Sequence, residues 1–243
     1  MGMPLSDFTV LSLDCYGTLI DWESGIWAAL EPLLARTGAT LPRDAALAAF
    51  ARHETAQEAA TPGLVYSELL ALVHRRLAAE WNAASESAAD HAFGASVGAW
   101  PAFADSVPAL AYLGRFYRLV ILSNVDRASF ARSNLRLGAS FAGIYTAEDI
   151  GSYKPDPRNF RYLLDRLAEA GHRLEEILHV AQSLYHDHLP ASRCGLKSAW
   201  IDRRHGSVGW GATPSPDGNV HYDFRFASLA ELVAAHRAEH SHL

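Results

Sequence analysis

The fold is decided by the stretch Phe8-Thr-Val-Leu-Ser-Leu-Asp14-Cys-Tyr-Gly17. The apolar residues before Asp14 favour β structure and predict a buried strand, and Gly17 predicts the turn that follows it. A strand with an acidic residue at its end brings a carboxylate to the edge of a sheet. In open α/β sheets, ligands bind beyond the carboxyl ends of the strands. Asp14 is therefore a candidate for an active site.

Strands and helices alternate after Trp100. This alternation implies parallel pairing with right-handed crossovers, and hence a doubly wound, Rossmann-like α/β core. The predicted strands are Arg118–Ser123, Gly143–Tyr145, Ile177–Ala181, Lys197–Ile201 and His221–Phe226. The predicted helices are Ser106–Phe116, one capped by Asp126, Pro157–Ala170, one around Asp187–Cys194, and Ser228–His240.

The segment between these two parts has a different pattern. Alanine, leucine and charged residues recur at helical spacing and no strand is evident, which predicts an all-helical insert. Its predicted helices are Ile26–Arg36, Arg43–Ala60, Val65–Trp81 and Ala88–Val97. We therefore expect a core domain made of residues 1–20 and 101–243, and an inserted domain of residues 21–100.

Composition narrows the function classes. The chain has 243 residues, 49% of them hydrophobic, and a net charge of -6. Without a run of Lys or Arg it is not expected to bind nucleic acid, and no apolar stretch has the length of a membrane span. No signal-peptide pattern precedes Phe8, and the distant Cys15 and Cys194 cannot form a disulfide framework. A cytoplasmic protein that binds no membrane is the expectation.

Several predicted strands end in side chains that could take part in catalysis or in ligand binding. Asp14 follows the first strand, Ser123-Asn124 lies at the end of another, and the segment after Ala181 leads into Asp187. Lys154 lies on a loop that can reach the same crevice. These groups are expected to converge at one edge of the sheet, because parallel strands present their carboxyl ends together.

Taken in their order along the chain, the four groups resemble the motifs of the haloacid dehalogenase (HAD) superfamily. Asp14-Cys-Tyr-Gly-Thr18 is similar to the first motif, in which the leading Asp is a covalent nucleophile. Ser123 resembles the second motif, Lys154 the third, and Ala181–Asp187 the fourth. The resemblance covers essentially the whole chain, and it implies that the helical insert is the family's cap domain.

Two positions depart from the phosphatases of this superfamily. Tyr16 replaces the acid/base Asp, and Gln182 replaces an acidic ligand of Mg²⁺. Mg²⁺ prefers charged oxygen ligands, so these changes argue against phosphatase chemistry, although Asp14 and Asp187 alone could still bind a cation. The Tyr16 pattern resembles the type II 2-haloacid dehalogenases, which need no metal. We expect no metal and no cofactor.

Within that branch, the chain looks most similar to the L-azetidine-2-carboxylate hydrolases. The similarity lies in Asp14–Trp22, Leu122–Asp126, Gly151–Pro155 and Ser183–His188. It implies opening of a strained ring to give 2-hydroxy-4-aminobutyrate, with 2-haloacid dehalogenation as the close second expectation. A Mg²⁺-dependent phosphatase and a non-enzymatic carboxylate-binding protein are the alternatives. The related enzymes are commonly dimers, so a homodimer is expected by analogy.

The resemblance also implies roles for individual residues. Attack by Asp14 on a molecule that already carries a carboxylate needs cations and hydrogen-bond donors. Lys154 is expected to neutralise the Asp14 region, Thr18 to orient the carboxylate, and Asp187 to activate water or to orient Lys154. The residues expected to contact the small carboxylic acid substrate are Tyr16, Trp22, Arg52, Ser123, Asn124 and Gln182.

Overall fold

A computed structural model describes residues 3–37, 41–216 and 218–240. One sheet is formed by β1 (Val10–Leu13), β2 (Arg118–Ser123), β3 (Gly143–Thr146), β4 (Ile177–Ala181), β5 (Lys197–Ile201) and β6 (Phe224–Phe226). All neighbouring strands are parallel, in the order β3-β2-β1-β4-β5-β6. The chain reverses its direction across the sheet between β1 and β4. This arrangement confirms the predicted doubly wound α/β core.

Ten α-helices lie along the described chain. They are α1 (Trp22–Thr37), α2 (Arg43–Ala60), α3 (Tyr66–Glu80), α4 (Ser87–Ala95), α5 (Ser106–Leu113), α6 (Arg127–Leu137), α7 (Ala147–Ile150), α8 (Pro157–Glu169), α9 (Leu189–Arg193) and α10 (Leu229–His240). None of the helices in the described ranges is long and apolar enough to cross a membrane.

The central strand β1 is buried on both faces, which explains the continuous apolar run that predicts it. Leu11 and Leu13 pack into a core that extends into the helical insert. Val10 faces the other side and packs in a second cluster with Phe160 and Leu163 of α8. Because helices cover both faces, only the ends of the strands are open to ligands.

Several predicted boundaries are corrected by the structure. α1 begins at Trp22 rather than Ile26, because Asp21 caps it by accepting hydrogen bonds from the backbone and hydroxyl of Ser24. The segment predicted as one helix around Asp187–Cys194 consists of a π-helical turn, Leu184–His188, followed by α9. The last strand includes only Phe224–Phe226 of the predicted His221–Phe226.

The insert consists of α1 to α4, with no strand among its described residues. Its two connections to the sheet lie side by side, since Ile20 forms an antiparallel bridge with Ala102. Gly94 disfavours helix in general, but the close packing of α4 on α3 requires it there. A Cβ at this position would lie 2.0 Å from the carbonyl oxygen of Ser67 on α3. We propose that residues 21–100 form the cap domain expected from the sequence.

Candidate active site

A pocket lies at the carboxyl ends of β1, β2 and β4, where the sheet reverses direction. One wall comes from the insert and the other from the residues that follow the strands. The lining residues are Asp14, Tyr16, Trp22, Glu54, Glu58, Tyr66, Ser123, Asn124, Val125, Lys154, Gln182, Ser183, His186 and Asp187. Of the ten predicted site residues, eight therefore line one pocket, and Thr18 lies directly behind it.

Asp14 is held by two hydrogen bonds to its carboxylate. Lys154 Nζ donates to Oδ1 at 2.9 Å, and Thr18 Oγ1 donates to Oδ2 at 2.6 Å. The turn after Asp14 depends on Gly17, whose φ of +92° lies in the region that favours glycine. Burial raises the pKa of Asp14, and the nearby Asp187 adds to this effect, although Lys154 opposes it. Asp14 is thus a fixed carboxylate that depends on Lys154 to stay ionised.

Lys154 lies in a buried cluster with two carboxylates. Its Nζ donates to Asp187 Oδ1 at 2.6 Å as well as to Asp14, and to the carbonyl oxygen of Leu122 at 3.2 Å. Burial would lower the pKa of Lys154, but the two carboxylates raise it above its ordinary value. Burial would raise the pKa of Asp187, but Lys154 and His179 hold it well below its ordinary range. The ammonium group is therefore charged and shared between Asp14 and Asp187.

Asn124 fixes the backbone of Lys154. Its Oδ1 accepts a hydrogen bond from the Lys154 backbone N–H at 2.6 Å, and its Nδ2 donates to the Lys154 carbonyl oxygen at 3.0 Å. The second proton on Nδ2 goes to Glu58 Oε1 at 3.1 Å. Both amide protons are thus used within the protein. Asn124 therefore positions the backbone of Lys154, and its expected contact with the substrate carboxylate stays a prediction.

A buried chain of hydrogen bonds connects Asp187 to side chains inside the sheet. His179 Nε2 lies 3.0 Å from Asp187 Oδ1, and His179 Nδ1 lies 2.6 Å from the hydroxyl of Ser12 on β1. All three side chains are buried. His179 and Ser12 were not predicted, because a polar residue inside an apolar strand gives no indication of what it binds. With Lys154 and His179 on its carboxylate, Asp187 is placed to orient Lys154.

Tyr16, Trp22 and Gln182 form part of the pocket wall. The Tyr16 hydroxyl is 2.7 Å from Ser133 Oγ, so a phenol occupies the side where a phosphatase has its acid/base carboxylate. Burial raises the pKa of this hydroxyl, which therefore stays protonated. The Gln182 backbone N–H donates to Thr18 Oγ1 at 2.9 Å. The latter contact leaves the Thr18 proton directed at Asp14.

Ser123 follows the predicted placement at the end of β2. Its side chain is buried and lines the pocket, and its Oγ has no hydrogen-bond partner within the described part of the chain. A buried hydroxyl without a partner is costly, so such a group in a pocket indicates a ligand. Ser123 can thus donate to an anionic group of a substrate.

Arg52 is not brought to this pocket, which corrects the expectation that it contacts the substrate. Its guanidinium pairs with Glu80 at 2.9 Å, and its side chain is 61% exposed. Successive residues on a helix are rotated by about 100°, so Arg52 points away from the face that carries Glu54 and Glu58. Arg52 lines a separate groove between α2 and the loop after β5.

Sequence analysis also missed Glu54 and Glu58, which face the pocket from α2. The signal was present, because two acids four residues apart share one helical face and here lie among buried residues such as Phe50. Burial raises the pKa of Glu54 from its ordinary value of 4.5 to about 8. Burial, together with repulsion from Glu54, also raises the pKa of Glu58. Both carboxyl groups are therefore held in a setting that favours their protonated forms.

Glu54→Gln is expected to stabilise the empty protein at alkaline pH. Glu54 keeps its proton in the folded state up to about pH 8, whereas the unfolded chain loses it near 4.5. The raised pKa therefore contributes stability that is full below pH 4.5 and is lost as the pH rises to about 8. At pH 9 the variant should be more stable, by on the order of a few kcal/mol, with little difference at pH 4.

Thermal unfolding across this pH range measures the effect. Glu68→Gln is the matched control, because Glu68 is exposed on α3. An equal gain in both variants, or a gain for Glu54→Gln that does not grow with pH, would contradict the interpretation.

Comparison with known proteins identifies the family of this chain. Residues 8–185 match a family described as haloacid dehalogenase-like hydrolase. The chain belongs to the HAD-like hydrolases. No curated protein sequence matches it significantly.

Solved structures of similar fold include three informative HAD relatives. A defluorinating L-2-haloacid dehalogenase has a TM-score of 0.77 at 21% identity, covering 98% of this chain and 100% of its own. The L-2-haloacid dehalogenase from Xanthobacter autotrophicus, with chloropropionic acid covalently bound, has a TM-score of 0.75 at 16% identity, covering 95% and 98%. A HAD hydrolase from Bacillus subtilis bound to magnesium has a TM-score of 0.74 at 18% identity, covering 95% and 99%. At these identities the likeness shows the fold.

The magnesium in one of these relatives raises the question of whether this HAD hydrolase could hold the same ion. Mg²⁺ needs charged oxygen ligands in near-octahedral geometry. Tyr16 and Gln182 provide none, and the carboxylates of Asp14 and Asp187 already share the ammonium of Lys154. Within the described ranges, no group of three or more His, Cys, Asp or Glu side chains could hold a metal ion. The residues present do not fit a Mg²⁺ site.

Proposed function

We propose that this hydrolase uses Asp14 as a covalent nucleophile at C2 of a small 2-substituted carboxylic acid and gives a 2-hydroxy acid. The observation that carries the proposal is the buried Asp14 carboxylate, fixed by Thr18 and Lys154 beside a pocket with an unpartnered Ser123 hydroxyl. Tyr16 supports attack on carbon, because the position lacks the carboxylate that protonates the alcohol leaving a phosphate ester.

The reaction proceeds in two steps. A carboxylate oxygen of Asp14 attacks C2, the bond from C2 to the leaving atom breaks, and an ester forms. Water then attacks the ester carbonyl carbon, which regenerates Asp14 and releases the hydroxy acid with one proton. Lys154 offsets the repulsion between the nucleophile and the substrate carboxylate, and Ser123 donates to that carboxylate. Asp187 acts by orienting Lys154, since its own pKa is too low for it to be an effective base at neutral pH.

Azetidine-2-carboxylate is the preferred substrate and an L-2-haloacid the second. An expelled halide needs a partner of positive charge, yet Lys154, the cation of the described pocket lining, is directed at Asp14 and Asp187, and Arg52 lies outside the pocket. The lining contributed by α2 carries carboxyl groups instead. This charge pattern and the sequence resemblance both favour an amine as the leaving group.

A substrate panel in the presence of EDTA tests the proposal. It consists of azetidine-2-carboxylate, 2-chloropropionate, fluoroacetate and a generic phosphate ester. We expect 2-hydroxy-4-aminobutyrate from the azetidine, at a rate that EDTA leaves unchanged, because Lys154 rather than a metal ion neutralises Asp14. Clear halide release without turnover of the azetidine would reverse the order of the two substrates. Phosphate release that chelation abolishes would replace the proposal by phosphatase activity.

A further inference from the structure

The buried carboxyl groups on α2 are an unusual wall for a pocket that receives an anion. The Glu54 and Glu58 residues are only 2% and 6% exposed. Acidic side chains are almost never buried to this extent unless they are paired. The reason for placing two of them together must therefore be sought in what they bind.

The protein itself satisfies these groups only in part. Tyr66 OH donates to Glu54 Oε1, and Asn124 Nδ2 donates to Glu58 Oε1 at 3.1 Å. Glu54 Oε2 has no hydrogen-bond partner in the part of the chain that the structure describes, and neither does His186 Nε2, which lies 4.0 Å from Glu58 Oε2. Lys154, the cation of the pocket, is directed at Asp14 and Asp187. The unpartnered oxygen of Glu54 is thus left for a ligand.

The two walls of the pocket differ in polarity. The wall at the strand ends offers the Lys154 ammonium and the Ser123 hydroxyl, which are suited to bind a carboxylate. The wall from α2 offers carboxyl oxygens, which suit a cation. A displacement at carbon requires the leaving atom to lie opposite the nucleophile. Because Asp14 attacks from the strand ends, the leaving atom faces the insert, where Glu54 and Glu58 lie.

We propose that Glu54 and Glu58 form a subsite for the ammonium group of a zwitterionic substrate, and that this subsite selects cyclic amino acids over haloacids. This inference rests on the proposed function, because it assigns the leaving nitrogen to that subsite. The Tyr66 hydroxyl and the Asn124 amide hold the two carboxyl groups in position. A halide in the same place would find no cation to pair with, because Lys154, the cation of the described pocket lining, is directed at Asp14 and Asp187.

The empty subsite differs from the occupied one in protonation. The titratable groups that face the pair are Tyr66, Tyr153, Lys154 and His186. His186 is neutral, since burial lowers its pKa to about 4, and burial keeps both tyrosines protonated. The pair therefore carries protons when no ligand is bound. An entering ammonium group favours the ionised form, so its binding should release protons into solution.

Ligand binding to the Asp14→Asn protein tests the subsite without turnover. The probes are L-azetidine-2-carboxylate and cyclobutanecarboxylate, which has the same ring size and carboxylate but no nitrogen. Calorimetry should show that the azetidine binds at least about tenfold more tightly, and titration in two buffers of different ionisation enthalpy should show proton release. Equal affinity for the two probes overturns the proposal.

Glu58→Gln and Glu54→Gln in this background keep the side-chain shape but remove the charge. Each should weaken azetidine binding by roughly 10- to 100-fold and leave cyclobutanecarboxylate unaffected, as expected for loss of a charge-assisted contact. Glu68→Gln should change neither affinity. Unchanged azetidine affinity in both pocket variants, with native unfolding transitions, also overturns the subsite. A failure of the proposed function would look different: the Glu-dependent binding would persist, but the unmodified enzyme would open no ring.

Discussion

Asp14→Asn should abolish turnover, by roughly four orders of magnitude or more, while leaving the fold intact. The amide has nearly the shape of the carboxylate, so the turn at Gly17 and the packing around β1 are kept. It lacks the negative charge needed to attack C2. The kcat for the best substrate of the panel, together with the thermal unfolding transition, measures both parts of the prediction.

Asp165→Asn is the matched control, because Asp165 is exposed on α8 and does not line the pocket. It should retain full activity. An Asp14→Asn protein that keeps more than about one hundredth of the activity would exclude covalent catalysis by this residue. Turnover of the unmodified enzyme in ¹⁸O-water gives an independent measurement, because hydrolysis of the ester transfers water oxygen to Asp14. An active enzyme without label would indicate direct attack by water instead.

Lys154→Met should have the second-largest effect, acting on both activity and stability. Lys154 is 2% exposed and lies 2.9 Å from Asp14 and 2.6 Å from Asp187. Its removal leaves two buried carboxylates without a counter-charge, which is expected to cost about 3–5 kcal/mol of unfolding free energy. We expect kcat to fall by roughly a thousandfold, since the cation no longer offsets repulsion in the transition state.

The pH profile separates this role from a merely structural one. Asp14 acts as a carboxylate, and Lys154 opposes the rise of its pKa that burial causes. Without Lys154 that pKa rises further, so the acidic limb of kcat/KM should move to higher pH. Lys197→Met is the control, because Lys197 is the other lysine of the chain and makes an exposed pair with Asp223. An unshifted acidic limb in Lys154→Met would contradict the assignment.

If that variant is poorly folded, the double variant Lys154→Met/Asp187→Asn removes one uncompensated charge and should recover stability without activity.

The sheet could be predicted because its strands carry local signals. Arg118–Ser123, Ile177–Ala181 and Lys197–Ile201 were predicted with their observed limits, since each is a short apolar run between helical patterns. The prediction of a strand at His221–Phe226 was too long. Its first residues have the composition of a strand, but they are not paired with a neighbouring strand. Pairing with β5 begins only at Phe224.

The candidate site could be predicted where the chain supplies its chemistry at strand ends. Asp14 and Asp187 follow strands, Ser123 ends one, and parallel topology brings them together. The contribution of α2 depends on which helical face turns toward the sheet, and that is set by packing between helices. Arg52 and Glu54 are two residues apart on α2. To predict which of them faces the pocket, one must know how the helix is rotated about its axis, and the sequence predicts only that the helix forms. Likewise, the use of both Asn124 protons becomes visible only when Lys154 and Glu58 are placed in space.

The Asn124 amide connects the two walls of the pocket through a single planar group. Its contacts to the Lys154 backbone and to Glu58 share one rigid plane, so neither can be adjusted without tilting the other. Movement of α2 away from the sheet would break the bond to Glu58 while the bonds to Lys154 held. Lys154 would then keep its place beside Asp14. Asn124 thus ties α2 to the loop of Lys154, while its two hydrogen bonds to Lys154 do not depend on the position of α2.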